Sequence, residues 1–494
     1  MRKFILATFV TCLATAAVAQ KLSYPLVSTG QVECYDLNGE AIAPPKKGSA
    51  LYGQDGNYQA GLPMSYRDNG DGTVTDLNTG LIWEQTPSAG PVTWGEAGEY
   101  CENLELGGYS DWRLPTLKEL FSISNFSAGW PYLDTFFFKL SVEGRVDKDE
   151  QYWASEKYVG ETVEGRSNAA FGVNHATGHI KAYPAGGGSD DRPQQGNRNQ
   201  AQRGGQRQGE GQGQRPQMGQ RPEGGDSLRM AGGRPPMGQQ GGEQSQEQGQ
   251  GQRPPMGQRP EGGDSLRMAG GRPPMGQQGG EQGQSQGQRP QMGQRGEQDQ
   301  QQGGGAPQMM GNPMQKRVRA VRGSVYGVNK FVDNGNGTIS DKATGLMWSK
   351  DDNGKGVEWS DAIKYAESSK QAGHKDWRLP NVKELQSIVD YRYAPSIKGV
   401  TAAIDPIFNC TPFVNEAGDN DYGYYWTSTS ALFRGGSPFY FAWYVAFGRA
   451  VNNAGIDMHG AGAVRFDTKH DNGMEVEGGE ERYYNFVRLV RVEK

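Results

Sequence analysis

The sequence predicts an α+β protein that contains two copies of one tryptophan-rich module, with a long low-complexity segment inserted in the first copy. Two observations carry this prediction. A set of motifs occurs twice in the same order, and the first five pairs are all separated by the same number of residues. In addition, one long stretch is dominated by Gly, Gln, Arg, Pro and Glu. The chain of 494 residues, 75 of them glycine, therefore combines two parts that can fold with one that is expected not to.

The duplication is visible in short motifs that keep the same residue types in both copies. The pairs are Asp68–Thr73 with Asp333–Thr338, Thr79–Trp83 with Thr344–Trp348, Trp94 with Trp359, Tyr100 with Tyr365, and Asp111–Pro115 with Asp376–Pro380. Further along, Tyr152–Ser155 corresponds to Tyr425–Ser428. We therefore expect the two copies to form the same elements, with short strands and long loops.

Each copy is predicted to begin with a β-hairpin followed by a helix. Thr73–Asp76 and Leu81–Trp83 are predicted to form the two strands of the hairpin. Leu77–Gly80 connects them in a turn whose last residue is a glycine. Thr93 and Glu96 have the spacing of a capping box, in which two side chains satisfy the first amides of a helix. Apolar residues then recur at helical intervals: Trp94, Ala97, Cys101 and Leu104.

A second helix is predicted directly after the proline of the Asp-Trp-Arg-Leu-Pro motif. Thr116–Glu119 forms another capping box, and Asn381–Glu384 is its counterpart in the second copy. Later segments, such as Phe439–Phe447 and Tyr483–Arg491, are rich in aromatic and β-branched residues, which predicts strands.

The low-complexity segment, residues 186–315, is predicted to be disordered because it lacks the apolar side chains needed to offset the entropy of ordering. The closing motif of the second copy, Val487–Arg491, has its counterpart in Val318–Arg322, after this segment. The segment is therefore predicted to be an insertion before the last strand of the first module. That module then comprises residues 20–185 and 316–324, and the second comprises residues 325–494.

The N-terminus has the pattern of an export signal. Arg2 and Lys3 precede the apolar run Phe4–Val10, and Ala17–Ala19 offers a cleavage site, so residues 1–19 are predicted to be a signal peptide. We expect a secreted, periplasmic or cell-surface protein without a membrane span. The net charge of -5 gives no electrostatic case for nucleic acid. No cofactor or metal site is predicted.

Taken together, these motifs resemble the Lcl C-terminal domain family, and both copies carry them. The pattern comprises the Asn-Gly-Asp-Gly-Thr hairpin, Thr-Gly-Leu-x-Trp, Asp-Trp-Arg-Leu-Pro-x-x-Lys-Glu-Leu, Tyr-Trp-x-Ser and a closing Val-Arg-x-Val-Arg. The resemblance implies a C-type-lectin-like fold, with a more remote likeness to formylglycine-generating enzymes. It also implies surface attachment and the binding of glycosaminoglycan-type glycans.

The chain departs from the family in its cysteines. Members often carry one cysteine on the first helix and one in the closing strand, and the resemblance implies a disulfide that joins these two positions. Here Cys101 keeps the helix position, whereas Ala320 fills the strand position. The resemblance therefore suggests, as a hypothesis, a disulfide between Cys101 and Cys34, and it leaves the pairing of Cys410 open.

The Asp-Trp-Arg-Leu-Pro motif is interpreted as structural because a scaffold needs it in both copies. In this interpretation a buried Asp–Arg pair and the tryptophan fix the turn before the second helix. The residues concerned are Asp111, Trp112 and Arg113 in the first copy and Asp376, Trp377 and Arg378 in the second.

Residues 456–467 of the second copy have no counterpart in the first and are the best candidate for a ligand site. They place a histidine, an arginine and two carboxylates around a Gly/Ala-rich segment that allows close approach. The neighbouring aromatic run, Phe439–Tyr444, could stack on sugar rings or form a core strand. The predicted ligand-binding residues are Trp443, Tyr444, Arg449, Asp457, His459, Arg465 and Asp467.

These features favour an exported, non-enzymatic protein that binds a glycan or another surface polymer and serves adhesion. One alternative is an extracellular enzyme that uses residues 457–467. Another is a structural or assembly protein that acts through the low-complexity segment, and oligomerisation is compatible with each. No histidine lies in a recognisable motif with a serine or cysteine nucleophile, which disfavours nucleophilic catalysis.

Overall fold

The structure is a computed structural model. It describes residues 22–142, 144–160, 168–185, 314–395, 402–415, 418–432, 439–452, 455–471 and 482–493. All of them belong to one compact unit, formed by Met1–Asn197 and Pro307–Lys494. The predicted signal peptide lies outside the described residues, and so does the predicted disordered insertion apart from residues 314–315. The described part is a mixed fold of short helices and antiparallel sheets, as expected for an α+β protein.

The two modules contain matching elements in the same order. The N-terminal segment and first module contain β1 (Cys34–Tyr35), β2 (Ala41–Ile42), α1 (Asp55–Tyr58), β3 (Tyr66–Asp68), β4 (Thr73–Asp76), β5 (Ile82–Glu84), α2 (Trp94–Glu102), α3 (Leu117–Ser122), β6 (Gln151–Tyr158), β7 (Ala169–Asn174), β8 (Ile180–Pro184) and β9 (Val321–Arg322). The second module contains β10 (Phe331–Asp333), β11 (Thr338–Asp341), β12 (Leu346–Ser349), α4 (Trp359–Ser368), α5 (Val382–Ser387), β13 (Pro412–Val414), β14 (Asn420–Tyr422), β15 (Tyr424–Ala431), β16 (Phe441–Ala446), β17 (Val464–Thr468) and β18 (Val490–Val492).

The predicted capping boxes form at the start of α2, α3 and α5. At α2 the Glu96 carboxylate accepts from the Thr93 amide at 2.8 Å, while the Thr93 hydroxyl accepts from the Glu96 amide at 3.4 Å. The corresponding pair at α5 is Asn381 and Glu384. These contacts satisfy amides that a helix leaves without intrahelical partners, so three short helices begin where the sequence predicts.

Each module contains a four-stranded antiparallel sheet, β3-β4-β5-β9 in the first and β10-β11-β12-β18 in the second. Strand β9 follows the insertion in the chain, yet it pairs with β5 through Trp83 opposite Val321. In the second module, Trp348 lies opposite Val490 in the same way. The residues that follow the insertion therefore complete the first module.

A six-stranded antiparallel sheet, β15-β16-β17-β8-β7-β6, joins the modules, each of which contributes three strands. The join is made at one position, where Ile180 of β8 pairs with Val464 of β17. Within the modules, Ile180 also lies opposite Val173, and Val464 lies opposite Val445. The two paired residues thus occupy equivalent places, and the duplicated halves meet about a local twofold axis.

The two faces of this sheet pack differently. Along β16, Phe441, Trp443 and Val445 enter a large hydrophobic cluster that also contains Leu120 of α3 and Leu385 of α5. We call this cluster, to which both modules contribute, the shared core. Alternate residues of the same strand, Ala442, Tyr444 and Ala446, enter a separate cluster with α4. A strand directs successive side chains to opposite faces, so this separate cluster covers the other face.

We call the cluster with α4 the second outer cluster, and its counterpart around α2 the first outer cluster. The first outer cluster contains Cys101, Trp112, Trp153, Ala170 and Tyr183. The outer clusters therefore lie towards the two ends of the sheet, and the junction of β8 with β17 lies between them.

The N-terminal segment crosses from the first module, where the Phe126 amide donates to the Thr29 carbonyl at 2.8 Å, to the second module. The Asp55 carboxylate accepts from the Thr429 hydroxyl of β15 at 2.6 Å and from Thr29 at 2.8 Å. Burial raises the pKa of Asp55 to about 6, although both hydroxyl donors oppose the shift. The Tyr58 hydroxyl donates to Glu367 of α4 at 2.5 Å. No sequence motif predicts this crossing, which further ties the modules together.

The prediction of an Asp–Arg pair within the Asp-Trp-Arg-Leu-Pro motif is wrong. Arg378 instead pairs with Glu384, the capping residue of α5, at 2.5 and 2.6 Å. Asp376 pairs with Arg491 of the closing strand at 2.8 Å. In the first module Arg113 pairs with Glu119, and Asp111 with Arg322. The motif is structural, but its two charges bind two different elements and so connect the turn, the helix and the last strand.

The tryptophans of this motif are buried, as the structural interpretation expects. Trp112 lies in the first outer cluster and Trp377 in the second. The Trp377 indole donates to the Gln371 carbonyl at 2.9 Å.

The suggested disulfide between Cys34 and Cys101 is not formed in the structure, where all three described cysteines are thiols. Cys34 lies in β1, opposite Ile42, in the segment that packs on the second module. Cys101 lies on α2 in the first outer cluster. The two sulfurs are kept apart because the N-terminal segment crosses to the other module.

Replacing Glu384 with glutamine should destabilise the protein by about 3 kcal/mol or more, because it leaves the buried Arg378 guanidinium without a counter-charge. Chemical denaturation at pH 7 measures the effect. The matched control is Asp333→Asn, which removes the partner of Lys350 in a pair accessible to solvent and should have a much smaller effect. Equal losses in the two variants would contradict the structural role assigned to the Arg378–Glu384 pair.

Candidate functional site

Two of the predicted ligand-binding residues lie in the interior. Trp443 is 0 % exposed and meets Phe126 and Tyr132 edge-to-face, with ring centroids 5.3 Å apart in each case. Tyr444 stacks on Tyr424 with centroids 4.8 Å apart. Neither ring is available to a sugar, so the aromatic run forms a core strand, and the sugar-stacking interpretation is wrong for these residues.

Arg449 and Asp467 make contacts within the second module. Arg449 pairs with Asp421 of β14 at 3.1 Å and with Asp419, in the turn before that strand, at 3.3 Å, which ties the segment after β16 to the β13–β14 hairpin. The Asp467 carboxylate is buried and accepts from the backbone amides of Thr468 and Arg482. These side chains are engaged in maintaining the fold.

Asp457 holds a contact between the modules. The Tyr158 hydroxyl, at the end of β6 in the first module, donates to the Asp457 carboxylate at 2.6 Å. The Ala461 amide in turn donates to the Tyr158 hydroxyl oxygen at 3.1 Å, and the Gly460 amide donates to Asp457 at 2.8 Å. Burial raises the pKa of Asp457, and these donors oppose the shift. Residues 456–462, the first part of the predicted ligand segment 456–467, are therefore fixed on the first module.

Both the backbone conformation and the available space require a glycine at position 460 of this loop. Gly460 has a φ of 84°, in the left-handed region that favours glycine, and a Cβ atom there would lie 3.0 Å from the Ala182 Cβ. The close approach allows the Ala182 amide to donate to the His459 carbonyl at 2.8 Å. The loop thus extends the contact between β8 and the second module.

His459 and Arg465 face a cavity of about 330 Å³. It lies beside the junction of β8 with β17, since Ile180, Lys181 and Tyr183 of β8 line it together with Arg465 of β17. The remaining lining residues are Trp130, Lys148, Gln151, Asn174, Thr177 and His179. We call this space the junction cavity. It is built by both modules, and most of its lining comes from the first.

The charged side chains that line the junction cavity are Lys148, Lys181 and Arg465, and no acidic residue occurs among its described lining. Burial lowers the pKa of His179 and of His459 well below 6.5, and the nearby charges of Arg465 and Lys181 lower both further. Both imidazoles are therefore neutral at pH 7 and can act as hydrogen-bonding groups. The described lining thus contains cationic residues from both modules.

Two lysine ammonium groups lie close to the ring of Tyr183, which lines the junction cavity. The Lys181 ammonium lies 5.7 Å from the centroid of the Tyr183 ring, and the Lys316 ammonium lies 4.4 Å from it. Burial lowers the pKa of Lys316 to about 8. Lys316 follows the insertion in the chain, so residues on both sides of the insertion contribute to this surface.

Sequence reasoning identified two of the cavity residues, His459 and Arg465, and missed those of the first module. The cavity arises where two distant strands pair, which no local motif reveals. Lys181 and Arg465 are equivalent in the strand registers of the two modules, and this equivalence becomes visible only when the sheet is known.

The described residues contain no group of three or more His, Cys, Asp or Glu side chains arranged to hold a metal ion. They also contain no helix that is both long and apolar enough to span a membrane.

Replacing Tyr158 with phenylalanine should destabilise the native state by about 1–3 kcal/mol, since the buried Asp457 carboxylate loses its hydroxyl donor. Hydrogen exchange should accelerate at the amides of Gly460 and Ala461, and urea unfolding gives the free energy. Tyr484→Phe is the control, because that side chain is 56 % exposed. Unchanged exchange in the 456–462 loop would show that the Tyr158 hydroxyl does not hold it.

Comparison with protein families matches residues 72–192 and residues 337–491 to the Lcl C-terminal domain. Together the two matches cover more than half of the chain and fall on the two modules. No curated protein and no solved structure matches the chain. The resemblance expected from the sequence is thus confirmed, and the chain belongs to the Lcl C-terminal domain family, of which it carries two copies.

Proposed function

We propose that this protein binds an anionic saccharide of a glycan or surface polymer in the junction cavity, without catalysing its conversion. The observation that carries the proposal is the convergence of Lys148, Lys181 and Arg465 on one cavity whose described lining has no acidic residue. Sulfate and carboxylate groups are the saccharide substituents that Lys and Arg recognise, and the Arg fork can bind either group bidentately.

Other groups around the cavity suit a sugar. Asn174 is occupied by the fold, since its side chain donates to the Lys148 carbonyl at 2.7 Å and accepts from the Ala176 amide. Gln151 and the neutral histidines supply hydrogen-bonding groups for hydroxyls, and Tyr183 and Trp130 supply apolar surface. This combination of cations, amide and aromatic rings supports an anionic saccharide better than a neutral one.

Three other parts of the proposal extend beyond the cavity. Each module is proposed to be C-type-lectin-like, as the family implies. The protein is proposed to act outside the cytoplasm in adhesion, on the basis of the N-terminal export pattern. Binding is favoured over acid–base catalysis because the carboxylates of Asp457 and Asp467 accept hydrogen bonds within the protein.

Replacing Lys181 or Arg465 with alanine should weaken binding of a heparin oligosaccharide about tenfold or more, because each change removes a charge-assisted contact. Calorimetry at pH 7 measures the dissociation constants, with neutral dextran oligosaccharide as the reference ligand. Lys139→Ala, which removes the same charge beside a different cavity, is the control and should bind like the unmodified protein. The proposal fails if heparin binds no better than dextran, or if all three variants behave alike.

A further inference from the structure

The two cations nearest the junction come from equivalent positions of the duplicated modules. Lys181 follows Ile180 in β8, and Arg465 follows Val464 in β17. Ile180 and Val464 are the two residues whose pairing joins the halves of the sheet. The local twofold axis that relates the modules therefore also relates Lys181 to Arg465.

Strand geometry places both cations on the same face. Ile180 and Val464 enter the shared core, so the residues that follow them point to the opposite face of the sheet. Both Lys181 and Arg465 line the junction cavity there. One cavity thus receives one cation from each module.

Electrostatic evidence agrees with this placement. His179 lies on the first-module side of the cavity, and the charges of Lys181 and Arg465 both lower its pKa. Both also lower the pKa of His459, on the second-module side. Each histidine is therefore within the field of both cations, and the two charges act on a common space.

We infer that the ligand of the junction cavity carries two anionic groups, one bound by Lys181 of the first module and the other by Arg465 of the second. This inference rests on the proposed function and specifies the ligand class: a disaccharide unit, or a longer polymer of such units, with a negative charge on each of two neighbouring sugars. The bound ligand bridges the two modules. A single module supplies only one of the two cations, so this mode of binding requires the duplication.

Calorimetry with two matched probes tests the inference. The first is a disaccharide that carries one carboxylate, and the second is the same disaccharide with one added sulfate. The unmodified protein should bind the dianion at least about tenfold more tightly than the monoanion, which corresponds to one further charge-assisted contact. In Lys181→Gln and in Arg465→Gln this ratio should fall close to one, whereas Lys139→Ala should keep it.

The outcomes separate the inference from the function on which it rests. If the two probes bind equally well to the unmodified protein, or if the preference for the dianion survives in either glutamine variant, the inference is overturned and the proposed function stands. If neither probe binds, the proposed function fails, and the inference fails with it. Unfolding midpoints of the variants, compared with that of Lys139→Ala, show whether a lost preference reflects a lost fold.

Discussion

The pairing of Ile180 with Val464 is the contact on which the architecture of this protein depends. Without it, β8 and β17 would each be an open edge of a three-stranded sheet, with backbone groups that need partners. With it, the two halves form one sheet, and aromatic residues from both modules pack in the shared core on one face. Tandem modules are often independent domains, but the single pairing and the core beneath it make these two interdependent.

Other contacts cross the same boundary and reinforce it. The N-terminal segment leaves the first module and places Asp55 against Thr429 of the second. In the opposite direction, the 456–462 loop of the second module is held by Tyr158 of the first. A consequence is that the outer face of the sheet has two helix-covered ends and an uncovered centre. The junction cavity lies at that centre, so the features that join the modules also create the candidate site.

Local chemistry allowed much of the fold to be predicted. The capping boxes of Thr93 and Asn381 and the hairpin at Thr73–Asp76 depend on residues close together in the chain, and all three form as expected. The repeated motifs also gave the family correctly. These predictions succeed because short-range hydrogen bonds and turn conformations determine them.

The errors share a different cause. Trp443 was expected to be available to a ligand, but a strand that is buried on both faces cannot be distinguished from a half-exposed one until its neighbours are known. The partner of Asp376 was expected within its own motif and is instead Arg491 of the closing strand. The family resemblance suggested Cys34 as the partner of Cys101, whereas the strand that contains Cys34 contacts the second module, where Tyr35 stacks on Phe439. Each error concerns a long-range contact, and the first-module half of the cavity was missed for the same reason.

The central claim is that the two modules together form one binding site at the sheet junction. A crystal structure of the protein with a sulfated, carboxylated disaccharide tests it most directly. The account predicts density for the sugar between β8 and β17, with its two anionic groups against Lys181 and Arg465. Well-ordered ligand density elsewhere on the protein, with the junction cavity filled only by water, would contradict it.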